Sequence, residues 1–185
     1  MKKFIPIFVL LTGCATSQQR QVLESQSAGR PEWVVSTKVS WVTGDQVNFR
    51  SQYTIRGDER PNGCFQLARI EVKEALLREV AEDLRGQIDS AQEGLSESAE
   101  LALTQVRSSE FGGKVTGMRF TEQYIERYAT SGVERIDCFV LAEIRKSDYD
   151  AIKRQVLYKI AAADPDIKRI MKNRAIKFFA TESSP

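Results

Sequence analysis

The apolar pattern of this chain changes period twice, and that alternation limits the folds open to it more than any other feature. Val47, Phe49, Tyr53 and Ile55 alternate with Asn48, Arg50, Gln52 and Thr54, the period of two that a half-buried strand needs. From Cys64 the period lengthens, and Cys64, Ala68, Val72, Ala75, Leu76, Val80 and Leu84 recur at helical spacing to about Gly86. After Gly112-Gly113 it shortens again. Val115–Tyr128 and Val133–Ile144 then read as a hairpin around Ser131-Gly132, with Ile136, Cys138, Val140, Ala142 and Ile144 sharing one face. Strands, a long helix and more strands predict an α+β domain: a small antiparallel sheet of two hairpins packed by the long helix, with additional C-terminal helices.

The remaining elements follow from weaker signals. Trp33 to Trp41 is rich in aromatic and β-branched residues, which predicts a strand with Trp33, Val35, Val39 and Trp41 on one side, turning at Thr43-Gly44-Asp45. A shorter helix is expected near residues 96–109, marked by Ala99, Ala102, Leu103 and Val106. Ser147-Asp148-Tyr149-Asp150 has the spacing of a helix cap, and Tyr149, Ile152, Val156, Leu157 and Ile160 form the apolar stripe behind it. Asp164-Pro165 opens a last helix, in which Lys168, Arg169, Lys172, Arg174 and Lys177 stand beside Ile167, Ile170, Met171 and Phe178. Arg174 interrupts the apolar arc, which favours a solvated or docking helix over one lying on lipid. The domain is therefore expected over residues 32–162, with a basic helix and tail over 163–185.

The N-terminus carries an address. Lys2 and Lys3 precede the apolar run Phe4 to Leu11, and Thr12-Gly13-Cys14 follows. About ten apolar residues make a helix of roughly 15 Å, half of a bilayer core, so the run suits a cleaved export leader better than a permanent span. Leu11-Thr12-Gly13-Cys14 resembles the lipobox of bacterial lipoproteins, in which the cysteine is acylated and becomes the new N-terminus. Residues 1–13 are thus expected to be a signal peptide and Cys14 the lipidation site. Residues 14–31, polar and ending in Gly29 and Pro31, read as a flexible tether. Ala15 after the cysteine resembles lipoproteins sorted to the outer membrane.

Charge and composition narrow the chemistry. Of 27 basic residues, two lie in the leader, so the mature chain balances 25 basic against 25 acidic groups, which gives no reason to expect nucleic acid. The chain has no histidine, which removes histidine-based triads, acid–base pairs and zinc sites. Neighbouring acids such as Glu82 and Asp83, or Asp148 and Asp150, are usual on solvated helices, and Gly112-Gly113 lacks the strand-to-helix context of a phosphate loop. No metal, no cofactor and no catalytic residue is expected, and the chain reads as a non-enzyme.

Cys64 and Cys138 remain once Cys14 carries lipid. Both sit on apolar faces turned to one core, so in an oxidising compartment they form either a disulfide or two buried thiols. Trp33 and Trp41 read either as core or as an aromatic partner surface.

The order of features resembles the Lpp-twenty family of bacterial surface lipoproteins: a lipobox cysteine, Pro31-Glu32-Trp33-Val34-Val35, Ala68-Arg69-Ile70-Glu71-Val72-Lys73-Glu74-Ala75-Leu76 and Phe139-Val140-Leu141-Ala142. The resemblance implies a sheet-and-helix domain at the outer membrane, flagellum-associated relatives, self-association into a ring or patch, and no catalytic residues. The expected role is a lipid-anchored structural or interaction lipoprotein, with its domain facing the periplasm or the cell surface and with envelope or flagellar-base proteins as partners. The alternative is a domain that binds a small lipid or glycan of the envelope in a helix–sheet crevice.

Overall fold

A computed structural model of the chain describes residues 20–89, 97–106, 115–165 and 167–169. In chain order its elements are β1 (Gln21–Ser25), α1 (Glu32–Val35), β2 (Ser40–Thr43), β3 (Gln46–Arg56), α2 (Pro61–Asp89), α3 (Glu97–Val106), β4 (Arg119–Thr130), β5 (Val133–Arg145) and α4 (Lys146–Ala163). The strands form one antiparallel sheet in the order β1-β4-β5-β3-β2. The fold is α+β.

The helix-facing side of the sheet holds the main core. Val47 and Phe49 of β3 and Val140, Ala142 and Ile144 of β5 pack against Ala68, Val72, Leu76 and Val80 of α2. Small residues at Cys64 and Ala68 let the helix come close enough for the Ser51 hydroxyl to donate 2.6 Å to the Ala68 carbonyl. Farther along, α2 leaves the sheet. Leu77, Leu84 and Ile88 there join Leu103 of α3 and Ile152, Val156, Leu157 and Ile160 of α4 in the same core. Each such side chain, fully buried, contributes about 1.5–3 kcal/mol.

The hairpin turns are those the sequence predicts. Gly44 has φ of 61° between β2 and β3, and Ser131 and Gly132 have φ of 52° and 77°, the left-handed pair that a two-residue turn requires. Asp164 accepts a hydrogen bond from the Ile167 amide at 3.3 Å, in the manner of a helix cap. Residues 170–185, which carry Arg174 and most of the expected basic helix, lie outside the described residues.

Three expectations are corrected. Residues 21–25, expected within the flexible tether, form strand β1 on the outer edge of β4, so the sheet has a fifth strand beyond the two hairpins. All five of its side chains are exposed, and main-chain pairing rather than an apolar pattern holds it. Trp33 and Trp41 do not share a strand. After Pro31 the chain makes a single helical turn, with Val34 and Val35 donating amide bonds to the Pro31 carbonyl, and this turn buries Val34 in place of presenting Trp33 and Val35 together. Finally, Ser147 does not cap α4. The helix begins at Lys146, two residues before a Ser147 cap would start it, and Asp148 instead takes Arg145 at 3.0 Å.

Candidate functional site

Helices α2 and α4 share a core with one side of the sheet, and on the other side Arg30, Trp33 and Val34 lie against β4 and β5. The two-residue turn at Ser131-Gly132 fixes the β4–β5 register and sets Glu126 directly opposite Asp137. Their neighbours Ile125, Ile136 and Cys138 belong to the helix side, so the two carboxylates point to the opposite face. They are nevertheless buried, with 2% and 0% of their surface exposed. Two acids facing one another across a strand pair repel, and removing each from water costs several kcal/mol unless cations and donors surround it.

The N-terminal segment supplies the cations. Arg30 grips Glu126 with a fork, Nε donating at 3.0 Å to Oε1 and Nη2 donating to Oε2. Arg20 bridges the pair, donating 2.9 Å to Asp137 Oδ2 and also to Glu126 Oε2, while its guanidinium lies 3.6 Å from the centre of the Tyr128 ring. Asp137 takes further bonds from Gln52 at 3.0 Å, Thr54 at 2.7 Å and the Tyr128 hydroxyl at 3.3 Å. Burial alone pushes the Glu126 carboxyl up, but the hydrogen bonds and charges of Arg30 and Arg20 outweigh it and hold the group below the usual range. Burial, followed by the charge of Asp137, pushes the Tyr128 phenol up. Carboxylates so fully engaged by donors act as a fastener: they rivet the segment that precedes the domain onto the sheet.

Next to the rivet, Val34 packs on Tyr124 and Phe139, and the Trp33 indole donates 2.7 Å to Glu122. Trp41 belongs to the far edge strand and pairs with Asn48, on the same sheet face. Arg50 lies between these points, 5.9 Å from the Phe139 ring centre, and its buried Nε has no hydrogen-bond partner among the described residues. Burial lowers its pKa. This face therefore carries Trp33, Arg50 and Trp41 on three separate elements.

Cys64 and Cys138 form a disulfide with Cα atoms 5.9 Å apart, joining the first turns of α2 to the middle of β5. Cys14 lies outside the described residues. Among those described, no three acidic or cysteine side chains converge as metal ligands would, and no helix is long and apolar enough to cross a membrane.

Arg20, Arg30, Glu126 and Asp137 form the buried ion cluster of this candidate site, and the sequence pattern did not single them out. One signal was present: Glu126 and Asp137 each lie five pairs out from the Ser131-Gly132 turn, so a two-residue turn alone makes them partners. The arginines offered none, since they sit in a segment without periodicity. No family model, curated protein or solved structure matches the chain.

Proposed function

We propose that this chain is a lipid-anchored, non-enzymatic lipoprotein of the outer membrane, which presents its domain to an envelope or flagellum-associated assembly. The observation that carries the reading is the rivet: the segment leading from Cys14 is fixed into the sheet by β1 and by Arg20 and Arg30 on buried Glu126 and Asp137. A domain held at its N-terminus transmits force and orientation only if that terminus is fastened. The Cys64–Cys138 disulfide supports an oxidising compartment. The lipobox supports the anchor, and the likeness to Lpp-twenty lipoproteins supports the flagellar connection. Confinement to a surface raises the effective concentration of the domain for its neighbours without any new contact. On this reading the face bearing Trp33, Arg50 and Trp41 is the partner surface, since aromatic and arginine side chains dominate binding energy at interfaces.

The test is the intact mass of protein purified from membranes, for the wild type and Cys14→Ser. A chain starting at residue 14 with a diacylglycerol-sized or larger increment, absent in the variant, is the expected result. A chain that keeps residues 1–13 or lacks lipid overturns it. Deleting the gene should impair motility or envelope integrity, and a strain normal in both counts against the structural role.

A second reading has its own observation. A mostly apolar depression of about 420 Å³ lies between the end of β1, the start of α2 and the sheet, lined by Phe65, Ile125 and Ile136 with Glu24 and Arg127 at its border. That volume suits a small amphipathic molecule. Mass spectrometry of organic extracts of the purified protein decides it: a stoichiometric lipid or glycan fragment favours the ligand-binding role, and an empty extract removes it.

A further inference from the structure

We infer that the end of the sheet bearing the β4–β5 turn is a membrane-contact surface, seated on the headgroups of the bilayer that holds the anchor. The inference rests on the lipoprotein reading above and adds which surface touches lipid. Gln21 pairs with Ala129, so the chain joins the sheet at the β4–β5 turn end. Six residue steps separate Cys14 from Arg20, which is fastened to Glu126 and Asp137, and a fully extended chain of that length reaches at most about 22 Å. The 12-residue strand β4 alone is about 40 Å long. The opposite end of the sheet, at Gly44, cannot therefore stand on the bilayer while the lipid is inserted.

The surface at the reachable end has the chemistry of a headgroup contact. Val133, at the turn, is 54% exposed, and Leu67 on α2 is 38% exposed, although both are apolar. They border a concave surface that also includes Arg56 and Arg135 with Asp58, Glu59 and Glu134, a mixed rather than a purely basic surface. Arg56 pairs with Asp58 at 3.4 Å, whereas neither Arg60 nor Arg135 has an ion-pair or hydrogen-bonding side-chain partner among the described residues. Exposed aliphatic groups beside the Arg135 guanidinium, which has no ion pair among the described residues, suit the boundary between acyl chains and phosphate.

Hydrogen exchange tests this. The chain from residue 14, with its disulfide intact, is coupled through the Cys14 thiol to a maleimide phospholipid in vesicles of phosphatidylethanolamine and phosphatidylglycerol, and compared with the same chain free in solution. Slowed exchange confined to residues 130–135 and 57–60, lost in the Val133→Asp, Arg135→Glu double variant, is the expected result. Protection at residues 43–46, or no protection anywhere, overturns the surface. Because the coupling supplies the lipid, this outcome does not depend on acylation in the cell. A native chain without acyl groups would sink the lipoprotein reading, whereas misplaced protection on vesicles would sink only the contact surface.

Discussion

Glu126 shows how a single buried side chain makes stability depend on pH at the acid end. Its folded-state pKa lies below the ordinary value of 4.5, so in that window the unfolded chain binds a proton that the folded chain does not. The contribution is complete above about pH 4.5 and is lost as pH falls through the lowered value. Urea unfolding should therefore show stability declining below about pH 4.5 in the wild type, with a shallower decline in Glu126→Gln. Arg30→Ala leaves Glu126 buried with Arg20 alone; because Arg30 is about a third exposed and partly screened, the loss should be about 1–3 kcal/mol rather than the ~3–5 of a fully buried pair. An Arg30→Ala protein as stable as wild type would mean that the fork is idle. Gly57 makes a different demand: its amide donates 3.0 Å to the Glu134 carbonyl, and an added Cβ would lie 2.5 Å from Glu134 Cβ. Gly57→Ala should cost about 1–3 kcal/mol in the same assay. The demand on Gly57 is not legible in the sequence, because a loop glycine is unremarkable until register places it against a neighbour, whereas the pairing of Glu126 with Asp137 is legible only through the Ser131-Gly132 turn that sets their register.

Between elements, legibility followed periodicity. Helix α2 and strands β3 and β5 bury continuous apolar faces, and a buried face is what a repeat in sequence encodes, so Cys64, Ala68, Val72, Ile136, Cys138 and Val140 were all readable as core. Strand β1 and the turn α1 were not readable. The first is held by backbone pairing and two arginines, and the second buries only Val34, so neither leaves a repeat. Trp33 and Val35 have high strand propensity, but Pro31 and the pocket formed by Tyr124 and Phe139 override it. The disulfide is the covalent link between two legible elements, spanning 74 residues from α2 to β5. In the chain-entropy model such a loop contributes about 4 kcal/mol, and replacing both cysteines by alanine should lower urea-unfolding stability by roughly that amount. Loss of well under ~1 kcal/mol would indicate that the ends of the loop are already held together in the unfolded chain.

At the scale of the whole molecule, the lipoprotein reading puts anchor, rivet and disulfide along one mechanical path. Pull on residue 14 passes through the chain to Arg20, across the ion cluster to Glu126 and Asp137, and from β5 through Cys138 to Cys64 on α2. No step of that path runs through the sheet's far end or through the face presenting Trp41 and Arg50, the face proposed above as the partner surface. On the lipoprotein reading, lipid is the membrane attachment and the domain needs none of it to fold. Cys14→Ser should then yield a protein with the wild-type melting temperature that no longer sediments with membranes, in a strain that behaves like the deletion. Arg20→Ala, Arg30→Ala should do the reverse, staying with the membrane fraction while residues 21–25 exchange amide hydrogens faster than in wild type. If the rivet variant keeps full function in the cell, fastening of the N-terminal segment is dispensable and a bare tether suffices. If it loses function while its membrane fraction and cellular level are unchanged, orientation of the domain, and not its presence at the membrane alone, is what the assembly requires.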